Sequence, residues 1–458
     1  MVIPAEADAV VIGSGFAGCS AAVRLAQAGK RVVLVEEAPR LGGRASSFLD
    51  RDTGERVDNG QHALFGCYTA TYDFLGLVGA AQLAPLQKTL TLSMARHGRL
   101  STLACPRLPA PWHLLAGLMT WNAISLKDRV TALRLGGVLR RIAKRGAAQA
   151  AADVRPDITV TEWLSRHGQS QALCDWLWRP LAIAALNQSP DVAAAGPFVR
   201  VLGELFAPDP KAAAIGLPSV PLDELYAEPT RRFLESSGGQ VLVKTRATVA
   251  LEATQAVAGA RIDGRMIAAP VVVSAVSWRS FARIWDETPP SSLAAVAANA
   301  AAMADSPIVT VNLWCAPEYS SALPSTFAGF VDGPMHWVFD KSRIFSEASG
   351  HLSIVSSGAE AILRLGNAEL TALATEQLSR EIPAMRGLQV RRSVVVREPR
   401  ATFSLAPGGP PRPGPRTQLE GFFLAGDWTN TGLPGTIEGA VRSGDAAARA
   451  ALGQGEPY

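Results

Sequence analysis

Ala7-Asp8-Ala9-Val10-Val11-Ile12-Gly13-Ser14-Gly15-Phe16-Ala17-Gly18 opens the stretch that decides the fold, and Lys30-Arg31-Val32-Val33-Leu34-Val35-Glu36-Glu37 closes it. Residues 10–12 are too apolar to alternate and read as a strand buried on both faces. Small and apolar residues from Cys19 to Ala28 recur at helical spacing, Gly29 stops that helix, and Arg31 to Val35 give a second buried strand. Gly13 permits the tight turn out of the first strand. Gly15, without a side chain, lets backbone approach a pyrophosphate, and Gly18 lets helix pack closely on strand. The helix start, at Phe16 and Ala17, offers free N–H groups and a positive dipole end to phosphate. Glu36 can accept from ribose hydroxyls, with Glu37 beside it. A lone G-x-G-x-x-G is weak and also occurs in ordinary Gly-rich turns. The strand before it, the helix after it and the acid at the right distance make the motif specific for a dinucleotide.

The motif fixes an ADP moiety and leaves NAD and FAD open. Ala38-Pro39-Arg40-Leu41-Gly42-Gly43-Arg44-Ala45 follows. Gly-Gly-Arg just after the ribose acid resembles the flavoprotein signature of the amine oxidase and phytoene desaturase superfamily. The resemblance implies that Gly43 and Arg44 lie along the FAD pyrophosphate and ribityl chain. Taken alone, Arg44 is a forked cation suited to phosphate, or a plain surface arginine. Near the other end, Gly421 to Trp428 reads as a strand ending at Gly426-Asp427, 429–434 as a loop, and Gly435-Thr436-Ile437-Glu438 as the start of a helix. In flavoproteins of this type Asp427 would bind the ribityl chain, and the helix start at Gly435, Thr436 and Ile437 would face N1 and O2 of the ring. A helix dipole there stabilises the negative charge of reduced flavin. No cysteine follows Cys315, so a tether to a C-terminal cysteine is excluded and non-covalent FAD is expected.

Val57-Asp58-Asn59-Gly60-Gln61-His62-Ala63-Leu64-Phe65-Gly66-Cys67-Tyr68 places polar groups inside an apolar run, where they need partners. This stretch resembles the hydroxysqualene dehydroxylases, also known as squalene-associated FAD-dependent desaturases. So do Ser306 to Trp314 and Met335-His336-Trp337-Val338-Phe339-Asp340-Lys341. The resemblance spans most of the chain. It implies that Asn59, Gly60, Gln61 and His62 pass the isoalloxazine ring and that backbone near Ala247 touches adenine. It further implies a reaction: an allylic carbon–oxygen bond is lost as water and replaced by hydride from N5 of reduced FAD, on a C30 isoprenoid that feeds hopanoid synthesis. His62 is the candidate acid, because histidine titrates near neutrality; a structural hydrogen-bonder to the cofactor is the alternative. Gln61 and His336 are further catalytic candidates, with a buried structural role as the competing reading of His336. A carotenoid- or phytoene-type desaturase, taking hydride from a polyprenyl hydrocarbon, would share fold and cofactor. A non-catalytic prenyl-binding module of the same fold is a third reading, opposed by intact Glu36, Arg44 and Asp427. Amine oxidation is disfavoured, because the Trp428–Pro434 loop lacks the aromatic pair typical of amine oxidases.

Across 458 residues, 48% hydrophobic and 18% charged, the composition is that of a globular, rather apolar chain long enough for several interleaved subdomains. The expected fold class is α/β. A Rossmann-like FAD-binding domain of the glutathione-reductase type would comprise residues 1–75, 215–290 and 415–458. A mixed-sheet substrate domain would comprise 76–110 and 300–414, and a helical subdomain 111–214. The net charge of +4 is too small for a nucleic-acid argument. The five cysteines are scattered without a C-x-x-C, so neither a disulfide framework nor a metal site is expected. The nucleotide strand begins almost at once, leaving no room for a cleaved signal peptide, and no apolar run is long enough for a membrane span. The cytoplasm is the expected location.

Residues 112–145 carry seven basic residues against Asp128. Leu135, Val138, Leu139 and Ile142 form an apolar face on a basic helix. Such a helix either lies face down on an anionic membrane or shows a solvated basic face over a core helix. The apolar run Trp176 to Asn187 either lines a hydrocarbon cavity or is plain core. Further expectations are a hairpin over 48–57, strands at 241–249, 261–267, 271–275, 331–339, 351–357 and 389–397, helices to Ser236, from Trp278 and over 363–382, and a Pro/Gly-rich loop over 406–416.

Overall fold

The computed structural model describes residues 3–109, 111–155, 157–252, 256–345 and 350–455. The opening stretch folds as strand, helix, strand: β1 (Ala9–Ile12), α1 (Phe16–Gln27) and β2 (Val32–Val35). All eight strand residues are buried, as expected of a sheet covered on both faces. Three more strands join in parallel from far along the chain: β3 (Gln240–Leu242), β4 (Val272–Ser274) and β5 (Phe422–Leu424), in the order β5-β4-β1-β2-β3. In register, Val10 faces Val272 and Val33, and Val272 faces Phe422. The C-terminal helix α2 (Ile437–Ala451) packs on α1 so closely that a Cβ on Gly444 would lie 2.2 Å from the carbonyl oxygen of Ala17.

A three-stranded antiparallel sheet spans Ala247–Leu251, Val257–Ile262 and Arg265–Ala268. A seven-stranded mixed sheet draws strands from residues 91–104 and 305–403. Helices from Trp112 to Leu205 cover one side of the site. The five cysteines are all free, and no helix among the described residues is long and apolar enough to cross a membrane.

Several expected elements differ, each for a local reason. The 241–249 strand is two strands in different sheets, broken at Lys244, whose φ is +54°. The 261–267 strand is a hairpin, turned by Asp263 and Gly264 at φ +46° and +77°, a two-residue Asp-Gly turn. Of the expected 331–339 strand only the end forms, as Trp337–Asp340; residues 331–336 turn around Gly333-Pro334, and the strand before them, Phe327–Phe330, has already ended. Trp278 starts no α-helix; a 3-10 turn at Phe281–Ile284 precedes Pro289-Pro290, and the helix begins at Ala294. The basic segment is three helices rather than one, and Leu135, Val138 and Ile142 are buried in the protein's own core. That face is therefore not free to lie on a membrane. The run 176–187 is mostly core, with Trp176, Trp178, Ala182 and Leu186 buried, while Ala184, Ala185 and Asn187 reach the cavity described next.

Candidate functional site

A cavity of about 450 Å³ lies where the parallel sheet, α1, α2 and the seven-stranded sheet meet. Every residue expected at the cofactor lines it except Gly18. Gly18 serves the packing instead: a Cβ there would sit 1.9 Å from the carbonyl oxygen of Gly13. Gly13 needs its glycine for a φ of +101°. A Cβ on Gly15 would meet no protein atom and would project into open space, as a cradle for an approaching phosphate requires. No side chain caps the N-terminus of α1, and its first turn holds no acid, so its N–H groups and dipole are available to an anion.

The acid of the motif is held ready. Glu36 Oε2 accepts from Ser14 N at 2.9 Å and Ser14 Oγ at 2.6 Å, and its Oε1 accepts from Ala38 N at 2.9 Å. Lone pairs remain on both oxygens for ribose hydroxyls. Glu37 is exposed at the rim and pairs with Arg283 at 2.9 Å. Arg44 and Asp427, expected to grip separate parts of the cofactor, form a two-pronged ion pair with each other; Arg44 Nη1 also donates to Ala401 O at 2.9 Å, and the guanidinium lies 5.0 Å over Trp278. The pair joins the two remote motifs across the cavity wall. Thr436 Oγ1 accepts from Gly439 N and caps α2, whose start faces the same space. Ala247 lines the far end, beyond Glu36.

Asn59 is a clamp: its Nδ2 donates to Arg44 O at 2.7 Å and to Glu398 Oε1 at 3.0 Å. His62 Nδ1 donates to Gly60 O at 2.8 Å, and Nε2 has no protein partner among the described residues. Burial lowers the His62 pKa below its usual 6.5, against Asp58, which raises it. Gln61 lines the cavity with its Oε1 held by Lys341. His336 does not line the cavity. Its Nδ1 accepts from Ser357 N at 3.1 Å, and burial lowers its pKa to about 4, so it supports a strand of the wall as a neutral ring.

Three positioning residues were not singled out in the sequence. Asn187, in the left-handed conformation at φ +50°, donates to Ser306 O and Thr402 Oγ1 and accepts from Gly358 N, tying the helical region to the large sheet. A polar residue closing an apolar run was its only signal. Tyr226 stacks on Phe16 at 3.6 Å, and its hydroxyl reaches the carbonyls of Gly42 and Ala45, fixing the Gly-Gly-Arg loop. Lys341 closes the Met335–Lys341 stretch, but lysines are surface residues by default, so nothing marked it as buried.

An ADP-sized cradle at one end, a helix start at the other and an elongated space between them fit FAD. None of the five cysteines lines the space, so no thioether tether can form there. The chain is similar over residues 16–452 to the flavin containing amine oxidoreductase family. It is 29% identical to a hydroxysqualene dehydroxylase of Rhodopseudomonas palustris, covering 97% of this chain and 98% of that one. It is 25% identical to a zeta-carotene desaturase of Solanum lycopersicum, covering 95% and 79%. Among solved structures, a redesigned putrescine oxidase superposes with a TM-score of 0.71 at 17% identity over 98% of this chain and 99% of that one, which shows the shared fold. FAD is the cofactor, and the protein belongs to the flavin containing amine oxidoreductase family.

Proposed function

We propose that this oxidoreductase reductively dehydroxylates hydroxysqualene, a C30 isoprenoid alcohol, to squalene, feeding hopanoid synthesis. His62 carries the reading. It stands among apolar lining residues that include Ala63, Ala184, Ala185, Ile308, Val355 and Ile437, with Nδ1 tied back and Nε2 open. An allylic alcohol loses water readily only when its oxygen is protonated; a hydrocarbon giving up hydride has no oxygen to protonate. The likeness to hydroxysqualene dehydroxylases along nearly their whole length supports the same reaction.

FAD, held along the cavity by the Gly13–Gly18 turn, Glu36, Arg44 and Asp427, would supply the hydride when reduced. Imidazolium at His62 gives the Nε2 proton to the hydroxyl, the carbon–oxygen bond breaks with its electron pair on oxygen, and water leaves. The carbon takes the hydride, so alcohol, proton and hydride give hydrocarbon and water. The apolar walls exclude water from the cation. Arg44 and Asp427 hold the two cofactor motifs together, and Asn59 fixes the backbone from which Gln61 and His62 project. Residues 1–75, 215–290 and 415–458 act in this reading as one FAD-binding domain, 76–110 and 300–414 as the substrate sheet, and 111–214 as its helical cover.

A second reading, oxidation of a carotenoid-type hydrocarbon, draws support from the zeta-carotene desaturase likeness. Anaerobic incubation decides: dithionite-reduced enzyme should turn hydroxysqualene into squalene, and oxidised enzyme should leave phytoene unchanged. The opposite pair of results selects the desaturase. A colourless protein that takes up no flavin would instead return the non-catalytic prenyl-binding module.

The exposed apolar surface is not the face first expected. Leu108, Trp112, Leu126, Val130 and Leu133 are exposed; Leu126 and Val130 lie one turn apart on the helix Leu126–Thr131, and Leu133 is in the 3-10 turn that follows it. Lys127, Arg129 and Arg134 lie beside them in sequence. Apolar side chains rimmed by cations suit an anionic lipid surface. Leu126→Asp/Val130→Asp should abolish co-sedimentation with phosphatidylglycerol vesicles; unchanged sedimentation, or none by the parent protein, removes the surface.

A further inference from the structure

Lys341 is the only lysine buried among the described residues, 2% exposed, and no step above uses it. It sits just past the strand Trp337–Asp340. Its Nζ lies 3.2 Å from Asp58 Oδ2, 2.6 Å from Gln61 Oε1 and 3.8 Å from the centre of the Phe345 ring. Asp58 is equally committed. Its other oxygen accepts from Ser47 Oγ at 2.6 Å and from Leu222 N at 3.2 Å. Burial lowers the Lys341 pKa below its usual 10.5, and the Asp58 carboxylate, 3.2 Å away, opposes that by favouring the ammonium.

An ammonium has donors and no acceptor. By taking Gln61 Oε1 it decides which way the amide faces: oxygen toward Lys341, Nε2 away from it. Among the described residues, Nε2 has the carbonyl of His62 as its acceptor, at 3.4 Å, a long contact. Gln61 lines the cavity. The wall there therefore offers N–H donors, with the positive end of the amide dipole outward and a buried cation directly behind it. Both features favour a ligand that carries negative charge over the same ligand without it. Local dielectric is low at such a place, so the preference is felt more strongly than it would be in water.

We propose that Lys341 is a positioning residue that locks the Gln61 amide with its N–H2 group toward the flavin ring and thereby raises the flavin reduction potential. The proposal rests on the reading that residues 59–62 pass the ring. It does not depend on which substrate the enzyme takes. Hydrogen bonds and charge near the ring are the protein's means of tuning a flavin. In Lys341→Met the amide is free to turn its oxygen inward, which disfavours the reduced, anionic form.

The test is the midpoint potential of the holoenzyme, measured by reduction against a reference dye, together with its visible spectrum. Lys341→Met and Gln61→Leu should each weaken the preference for reduced flavin about tenfold, which is about 30 mV for a two-electron couple. The double variant should fall little further, because the two residues act in series. Lys341→Met strands the Asp58 carboxylate, so Asp58→Asn/Lys341→Met is measured beside it, removing both charges together. A merely structural lysine would change melting temperature and flavin content but leave the potential where it was. A shifted Gln61→Leu with an unshifted Asp58→Asn/Lys341→Met overturns the role of Lys341. A Gln61→Leu holoenzyme with unchanged potential and spectrum overturns the placement of the ring, and the proposal with it. Hydroxysqualene turnover by the parent enzyme is measured separately, so failure of the Lys341 role and failure of the proposed reaction are distinguishable.

Discussion

The two ends of the cavity are built by different rules. At the nucleotide end the walls are backbone: the turn from β1 to α1, the start of α1 and the Gly42-Gly43 bend, with Glu36 as the chief side chain. At the other end they are side chains brought from remote segments, with Gln61 and His62, Asn187, Ile308 and Thr402 meeting in one place. A wall of backbone tolerates little added volume, because neither partner can move. A wall of side chains tolerates volume better and depends instead on the chemistry of each group. Gly18→Ala is the sharpest way to break that contrast. Its Cβ would press on the Gly13 carbonyl, forcing α1 off β1. A loss of about 3 kcal/mol, measured by urea unfolding, and a colourless protein are expected. A yellow variant of unchanged stability would show that the nucleotide end is softer than its packing indicates.

Asp427→Ala tests the link between the ends. It removes both oxygens that hold Arg44 and leaves that cation with Ala401 O and the Trp278 face. Charge-assisted hydrogen bonds of this kind contribute about 1.5–3 kcal/mol, so a stability loss in that range should accompany loss of bound flavin. Retention of full flavin would mean that the two motifs hold the cofactor independently.

His62→Ala should act at the ring end alone: flavin retained, turnover down by about 10²- to 10⁴-fold. The pH dependence gives a sign. Burial lowers the pKa of His62 below the usual 6.5, so at neutral pH most of the protein carries the neutral ring, which cannot donate at Nε2 while Nδ1 keeps its proton for Gly60. Lowering the pH through the depressed pKa populates the imidazolium, and the rate of the parent enzyme should rise in that window. In His62→Ala this rise should be absent. A rate that falls as the pH drops would make His62 an acceptor for the substrate hydroxyl and move the acid elsewhere.

The same division governs what was legible in the sequence. β1, α1 and β2 could be read because their contacts are local and each glycine has a geometric duty. The closing Gly-Asp strand and helix could be read through their motif, although the strand pairs with Val272–Ser274 about 150 residues away. The ring end could be read only at Asn59 to His62, through polar residues in an apolar run. Lys341, Asn187 and Tyr226 escaped, because their partners lie more than a hundred residues away and an apolar run beside a residue does not name them. Errors in the elements divide likewise. Asp263-Gly264 and Gly333-Pro334 carried turn signals that interrupt the two expected strands, whereas the break at Lys244 had no local mark. The face at Leu135, Val138 and Ile142 was open to a membrane or to the core, and the core covers it; periodicity says that a face is covered and not by what.

The smallest effect is expected inside one dipeptide. Glu36 and Glu37 are neighbours of identical chemistry, and both line the cavity. Glu36 is oriented by Ser14 and Ala38, so it meets a ribose in one fixed geometry. Glu37 is 58% exposed, and its partner Arg283 is 55% exposed; water and salt screen the pair. Glu37→Ala should therefore cost no more than about 0.5 kcal/mol and leave flavin affinity unchanged, even at low ionic strength. Glu36→Gln keeps the shape and one acceptor oxygen, but its N–H2 group must face either the Ser14 N–H or the Ala38 N–H, both of which are donors. It should weaken FAD binding at least tenfold by fluorescence titration of the apoprotein. Equal effects at the two positions would mean that net charge at the cavity mouth, rather than a preset acceptor, holds the nucleotide.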